Sequence, residues 1–313
     1  MKDTTKRLIK FILVWLTTIG IFAVLFSKIK FADVIEAISR ADVQLLTAGL
    51  FISFAAHIFI TIPRYQYILY TLGCTLTFKE ALILRMGTLP IKNVTPFKAG
   101  ELSRAAYLKT KHGFPYSKGI VSIILGYILS FASLSAFALA GLFLYAPGVP
   151  EKIGVVILAV VLLSLLFLAG TTHTSSLVKR LLRLVRLKEE EFRTSRKLFL
   201  PKQMSILMLC SLVFEGCQLF NTYLLLKALG TEVPFSTFLL FGPLSIIIAV
   251  LPITFCSLGT RESAFLVFFS KFAPAEILMA SSLLTTFVNR LFPLFLGLFF
   301  MKAFLDRLMQ MEE

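Results

Sequence analysis

The chain is poor in charge. Of its 313 residues, 16% are Asp, Glu, Lys or Arg, where soluble domains carry about 25%. It holds one Trp, three His and four Cys. The cysteines, Cys74, Cys210, Cys217 and Cys256, form no CxxC pair, and His57, His112 and His173 lie at no ligand spacing from them. That pattern excludes the common zinc motifs and a disulfide scaffold, and reads as buried free thiols. No metal and no cofactor is expected. A GxxxxGK[ST] phosphate loop is absent as well, so any work the chain does draws on a gradient or runs passively.

What the sequence has instead is apolar mass. Hydrophobic residues make up 57% of it, and the mean hydropathy is +0.86. These values exclude a soluble enzyme, a disordered chain and a small secreted domain, and indicate a polytopic membrane protein. The 32 Lys and Arg exceed the 17 Asp and Glu by 15. In a soluble protein that excess suggests nucleic acid. Here the basic residues fall between apolar runs, so topology and anionic lipid account for them, and nucleic acid is not an expected partner.

A helical crossing needs about 20 mostly apolar residues. Segments 8–27, 43–62, 118–145, 152–171, 203–227 and 276–303 qualify. The first follows a basic start (Lys2, Lys6, Arg7, Lys10) but no small-residue cleavage motif, so it reads as a retained crossing. Segment 172–202 carries nine basic residues and is expected to be a cytoplasmic loop, with Leu177, Leu181, Leu184, Val185 and Leu187 near helical spacing. An interfacial helix on anionic headgroups and an ordinary topology-setting loop both fit it.

Two stretches are too broken to cross simply. Stretch 80–112 is interrupted at Gly87, Pro90, Asn93, Pro96 and Gly100, and stretch 235–272 at Gly242, Pro243, Pro252 and Gly259. Irregular backbone at membrane depth survives only inside protein or beside a wet cavity. Both stretches therefore read as re-entrant helical hairpins, although 235–252 is long enough to cross alone. Leu89-Pro90-Ile91 and Leu251-Pro252-Ile253 match, and each hairpin lies between two long apolar runs. The expected fold is all-α: six full crossings plus two hairpins in an inverted repeat. It forms one transmembrane domain over 1–313, with repeats at 43–145 and 203–303. Paired broken segments in corresponding positions point to a transport site.

Charges buried in a bilayer need a partner or a task. The candidates for substrate binding are Asn93, Lys98, Glu101, Arg104, Glu215, Gln218, Arg261, Glu262, Asn289 and Arg290. Glu101 and Arg104 share a helix face at i,i+3. Arg261 and Glu262 open a half-helix just after Gly259, where free N–H groups and arginine forks suit a phosphate or carboxylate. Glu215, Gln218 and Asn221 form a polar stripe along one crossing. Arg64 and Arg85 are expected to snorkel to the interface. Internal Arg–Glu pairs that merely lock the hairpins are the structural alternative.

The run Pro96-Phe97-Lys98-Ala99-Gly100-Glu101-Leu102-Ser103-Arg104 resembles the P-x-[RK]-x-G-E-x-x-R signature of the lysylphosphatidylglycerol synthase transmembrane-region, or flippase-like, family. Asn93 sits where that family has its asparagine. A second signature resembles Leu251-Pro252-Ile253 through Leu258-Gly259-Thr260-Arg261-Glu262-Ser263-Ala264. The resemblance covers roughly residues 8–305. Two positions depart from it: Gly126-Tyr127 stands near an acidic–Arg pair common in the family, and Cys256 where glycine is common. The resemblance implies a protein linked to lipid translocation, with members that flip aminoacylated phospholipids or serve lipid-linked glycan pathways. No segment here is large enough for a soluble aminoacyl-transfer domain.

The expected function is a lipid or lipid-headgroup flippase, not an enzyme. Arg261, Arg104 and Lys98 would bind phosphate, while Glu101 and Glu262 would balance them or hold a cationic group. The alternatives are an enzyme or accessory in lipid modification or lipid-linked glycosylation, and a small-solute secondary transporter. Expected partners are membrane lipids, an anionic phospholipid or a polyprenyl-phosphate-linked headgroup. A second copy of the chain and a separate lipid-modifying enzyme are further candidates. The expected location is a prokaryotic plasma membrane, with both termini cytoplasmic.

Overall fold

The computed structural model describes residues 16, 18–27, 29–95, 100–145, 201–250 and 258–309. These residues form helices and connecting turns, with no strand among them. In chain order the helices are α1 (Thr18–Ser27), α2 (Phe31–Ser39), α3 (Val43–Leu72), α4 (Phe78–Val94), α5 (Leu102–His112), α6 (Tyr116–Tyr145), α7 (Pro201–Ala228), α8 (Phe235–Val250), α9 (Thr260–Phe269) and α10 (Ala275–Arg307). Four of them, α3, α6, α7 and α10, are long and apolar enough to cross a bilayer, and contain the expected crossings 43–62, 118–145, 203–227 and 276–303. Expected crossing 152–171 and residues 172–200 of the expected loop lie outside the described residues, as does part of 8–27, while Pro201 and Lys202 begin α7.

Two crossings run further than their apolar runs suggested. Helix α3 continues to Leu72 through Pro63, and α10 continues through Pro293 to Arg307. Proline removes one ladder donor and crowds the preceding turn. In each helix a wide π-helical turn precedes the proline, Ala56–Ile60 in α3 and Phe287–Leu291 in α10. Such turns loosen the ladder where the proline cannot complete it, and they concentrate at functional sites. The second turn packs on α3 just before the first: Ser53 Oγ donates to the Val288 carbonyl at 2.8 Å.

Helices α3 and α7 pack antiparallel. The Asp42 N–H bonds to the Ala228 carbonyl at one end. Toward the other, Arg64 Nη1 donates to Ser211 Oγ at 3.0 Å. Helix α4 runs unbroken through Gly87, Pro90 and Asn93, and α8 through Gly242 and Pro243, where the sequence suggested interruptions, because a single proline costs a helix one donor without ending it. Helices α4 and α5 form a hairpin. Its open end is tied by Glu80, whose Oε1 accepts from Tyr107 Oη at 2.8 Å and Lys111 Nζ at 2.6 Å and meets His112 Nε2 at 2.9 Å. At its tip the Gly100 N–H donates to Thr95 Oγ1 at 2.7 Å. Helices α8 and α9 form a second antiparallel pair, with Phe238 stacked on Phe269 and Phe241 on Phe268.

Each hairpin packs against the last crossing of the other half: α4 against α10, and α8 against α6. Both contacts are made close by glycine. A methyl on Gly87 would lie 2.6 Å from Phe304 Cβ, and one on Gly141 2.3 Å from the Leu240 nitrogen. Aromatic and aliphatic groups from both halves fill the space around these seams, among them Tyr107, Phe304, Leu84 and Leu108 on one side and Phe238, Phe265 and Phe269 on the other.

The tie at Glu80 lies at the mouth of the first hairpin, outside the four spans. Burial pushes its carboxyl up, but hydrogen bonds from Lys111, His112 and Tyr107 outweigh this and hold it down at about 2. A carboxylate held below its unfolded value of about 4.3 stabilises the fold above that pH, and the gain disappears as pH falls through the folded value. Glu80→Gln is therefore expected to unfold at lower temperature than wild type near neutral pH. The gap should close between about pH 4.5 and pH 2. Thermal unfolding in detergent across that range checks it, and a gap that stays constant to pH 2 rules out Glu80 as its source.

Candidate functional site

The two hairpins, both π-turns and the middle of α6 and α7 enclose a cavity of about 210 Å³. Among the described residues six cationic side chains line it, Arg64, Arg85, Lys92, Arg104, Arg261 and Arg290, against two carboxylates, Glu101 and Glu215, so the formal charges of these eight sum to +4. Neutral polar groups on its wall include Asn93, Tyr127, Gln218 and Asn289.

Chain direction brings these residues together. The wide turn in α3 carries His57, whose Nδ1 lies 2.8 Å from the Ser53 carbonyl oxygen. The wide turn in α10 carries Asn289 and Arg290. The tip of the first hairpin contributes Lys92, Asn93, Glu101 and Arg104, and the start of α9 contributes Arg261. Glu101 Oε1 accepts from Lys92 Nζ at 3.1 Å and Arg104 Nη2 at 2.9 Å. All three side chains are largely or wholly removed from solvent, with exposures of 6%, 21% and 3% for Glu101, Lys92 and Arg104. The guanidiniums of Arg104 and Arg85 both lie over the Tyr65 ring, at 5.3 and 5.8 Å from its centre. A ring face attracts cations, so Tyr65 offsets part of their mutual repulsion.

The polar stripe of α7 does face inward. Glu215 and Gln218 line the cavity, and Asn221 Nδ2, one turn beyond, donates to Asn289 Oδ1. Glu215 interacts with Ser130 and lies within electrostatic reach of Arg64 and Arg290. Arg261 is only 3% exposed, and its Nε has no hydrogen-bond partner among the described residues.

Of the ten residues singled out from the sequence, the cavity wall contains Asn93, Glu101, Arg104, Glu215, Gln218, Arg261, Asn289 and Arg290. Lys98 lies outside the described residues. Glu262 points elsewhere: its carboxylate accepts from the Gly259 N–H, from Thr286 Oγ1 at 3.1 Å and from Ser282 Oγ at 3.4 Å. It caps α9 and ties that helix to α10. Gly259 has φ +90°, a conformation that favours glycine, and so turns the chain into the cap.

Arg64 and Arg85 correct the reading as interfacial snorkels. Arg64 is 5% exposed and both line the cavity. The reason is tertiary: α3 and α4 are enclosed by α7 and α10, so the faces carrying these arginines meet protein rather than lipid. Lys92 and Tyr127 were also passed over. Lys92 had a legible signal, being a lysine in the last turn of α4 and nine residues before Glu101. Tyr127 faces Glu101 from α6, at the position where the sequence departs from the family's charged pair.

Among the described residues no cluster of three or more His, Cys, Asp or Glu is placed to hold a metal ion. The arrangement is suited to holding a buried anion by charge-assisted hydrogen bonds. No curated protein matches the chain. The profile of the lysylphosphatidylglycerol synthase TM region matches residues 7–297, nearly the whole chain, and this multi-pass membrane protein therefore belongs to that family.

Proposed function

We propose that the protein translocates lipid headgroups across a prokaryotic plasma membrane, with both termini cytoplasmic and no catalytic step of its own. One observation supports this reading: a cavity lined, among the described residues, by six cations and two carboxylates, where two helical hairpins meet between apolar helices long enough to cross a bilayer. Charges at such depth are costly and mark pathways. Broken helices at matching places in two antiparallel halves are the usual construction of alternating-access sites. In this reading the hairpins are re-entrant and the halves form an inverted repeat. The headgroup passes through the cavity while its acyl chains stay in the bilayer.

The test is a proteoliposome carrying headgroup-labelled lipid and a membrane-impermeant quencher. The quencher reaches only the outer leaflet of protein-free vesicles. Wild type is expected to expose the inner leaflet as well, and Arg261→Gln to slow this at least about tenfold, a loss of about 1.4 kcal/mol in transition-state stabilisation. Glu101→Gln is compared at matched thermal stability. Quenching that never exceeds empty vesicles, with zwitterionic, anionic and aminoacylated lipids alike, refutes the flippase. It leaves a solute transporter or an accessory to a lipid-modifying enzyme.

A further inference from the structure

The cationic excess is not spread evenly over the cavity. Glu101 already serves Lys92 and Arg104 through one oxygen. Glu215 lies within electrostatic reach of Arg64 and Arg290. Arg85 and Arg261 make no ion pair with any described carboxylate within 4.0 Å. Arg85 lies over the face of Tyr65 and within electrostatic reach of Glu101, whose Oε1 is already taken by Lys92 and Arg104. The carboxylate next to Arg261 in sequence is that of Glu262, which is held by Gly259, Ser282 and Thr286. Arg261 is also close enough to Arg290 for the two to repel.

Arg85 and Arg261 reach Glu101 and Glu262 only at longer range, and both carboxylates are already engaged by other groups, so a ligand that brings further negative charge would balance the two guanidiniums. Arginine forks match phosphate oxygens in a bidentate way, and water exclusion strengthens the contact. A phosphodiester supplies one negative charge. A phosphomonoester near neutral pH supplies up to two, since its second pKa is about 6. A lysyl ester of a phosphodiester lipid adds two ammonium groups to one phosphate, and so increases the excess. Resting on the headgroup-path reading, we infer that this cavity selects a doubly charged phosphate, a phosphomonoester or diphosphate, and disfavours aminoacylated headgroups. Arg85 and Arg261 are the residues that impose the choice.

The full-length protein in phosphatidylcholine nanodiscs provides the test. Fluorescent phosphatidic acid is the bound probe. Competitors are unlabelled phosphatidic acid, phosphatidylglycerol, lysyl-phosphatidylglycerol and soluble glycerol 3-phosphate. Phosphatidic acid is expected to compete about tenfold better than phosphatidylglycerol, and lysyl-phosphatidylglycerol worst. Arg85→Gln and Arg261→Gln should each remove most of that preference. Arg261→Lys retains the charge and should keep a larger part of it, which separates the effect from misfolding.

If glycerol 3-phosphate competes as well as phosphatidic acid and enters proteoliposomes, the ligand is a free phosphate ester. If only the lipid competes, it is a lipid headgroup. Either result supports the charge selection. Equal competition by the three lipids, tightest binding of the lysyl lipid, or full preference in a well-folded Arg261→Gln protein overturns it. Translocation without this preference sinks the selection and keeps the flippase. The preference without translocation does the reverse.

Discussion

Glu101→Ala is expected to destabilise the protein by about 3–5 kcal/mol, the cost of removing one member of a buried ion pair. The residue holds Lys92 and Arg104 through a single oxygen, and the three groups have little or no access to water. Without the carboxylate, two cations face each other in a space that Arg64 and Arg85 already make positive. Glu101→Gln keeps a hydrogen-bond acceptor but not the charge, so it should fall between wild type and the alanine variant. The network also predicts coupling. Replacing Glu101 and Arg104 together by glutamine should cost less than the two single changes summed, by about 1–3 kcal/mol. Unfolding by SDS titration in mixed micelles measures all four proteins. Additive losses would mean that the pair contributes no interaction energy of its own and that the hairpin tip is held by other contacts.

This triad shows how much of the site was legible in the chain. The Gly-Glu-x-x-Arg run could be read as one helix face because i,i+3 spacing is a local property. Proline and glycine act on their own neighbourhood, so the start of α9 after Gly259 was legible, whereas Gly87 and Pro90 lie inside α4 and Gly242 and Pro243 inside α8, and both helices continue through them. Lys92 needed more: its partner is nine residues away across the hairpin tip. Arg64 and Arg85 needed more still. Whether an arginine on an apolar helix faces lipid or protein depends on which neighbour covers it, and α7 and α10 come from the other half of the chain. Glu262 failed in the opposite sense. Its position at the start of α9 was correctly read, but the same position lets its carboxylate fold back onto Gly259 instead of facing the cavity. The π-turns were not legible at all. They place His57, Asn289 and Arg290 on the wall, yet nothing in their local composition separates them from ordinary helix.

The close backbone approach at Gly141, between α6 and α8, should tolerate no added side chain. A methyl group on Gly141 would lie 2.3 Å from the Leu240 nitrogen and 2.5 Å from the Leu239 carbonyl carbon. Those are main-chain atoms of α8 and cannot step aside by changing rotamer, so α6 and α8 must separate. Overpacking a close-packed seam costs about 1–3 kcal/mol and more where backbone must move; Gly141→Ala is expected at the upper end, about 3 kcal/mol. Gly87→Ala presses α4 against the Phe300 carbonyl and Phe304 Cβ of α10 and should act in the same direction. Gly126→Ala is the control, because no heavy atom lies within 4 Å of the added methyl. The damage should also reach the site. Helix α8 carries α9 with it through the Phe238–Phe269 and Phe241–Phe268 stacks, and α9 opens with Arg261. Gly141→Ala is therefore expected to weaken phosphate-lipid binding even at temperatures where the protein stays folded, whereas Gly126→Ala keeps its stability. Unfolding and lipid competition run on the same preparations decide this. A Gly141→Ala protein as stable as wild type would show that α6 and α8 are not held in this contact.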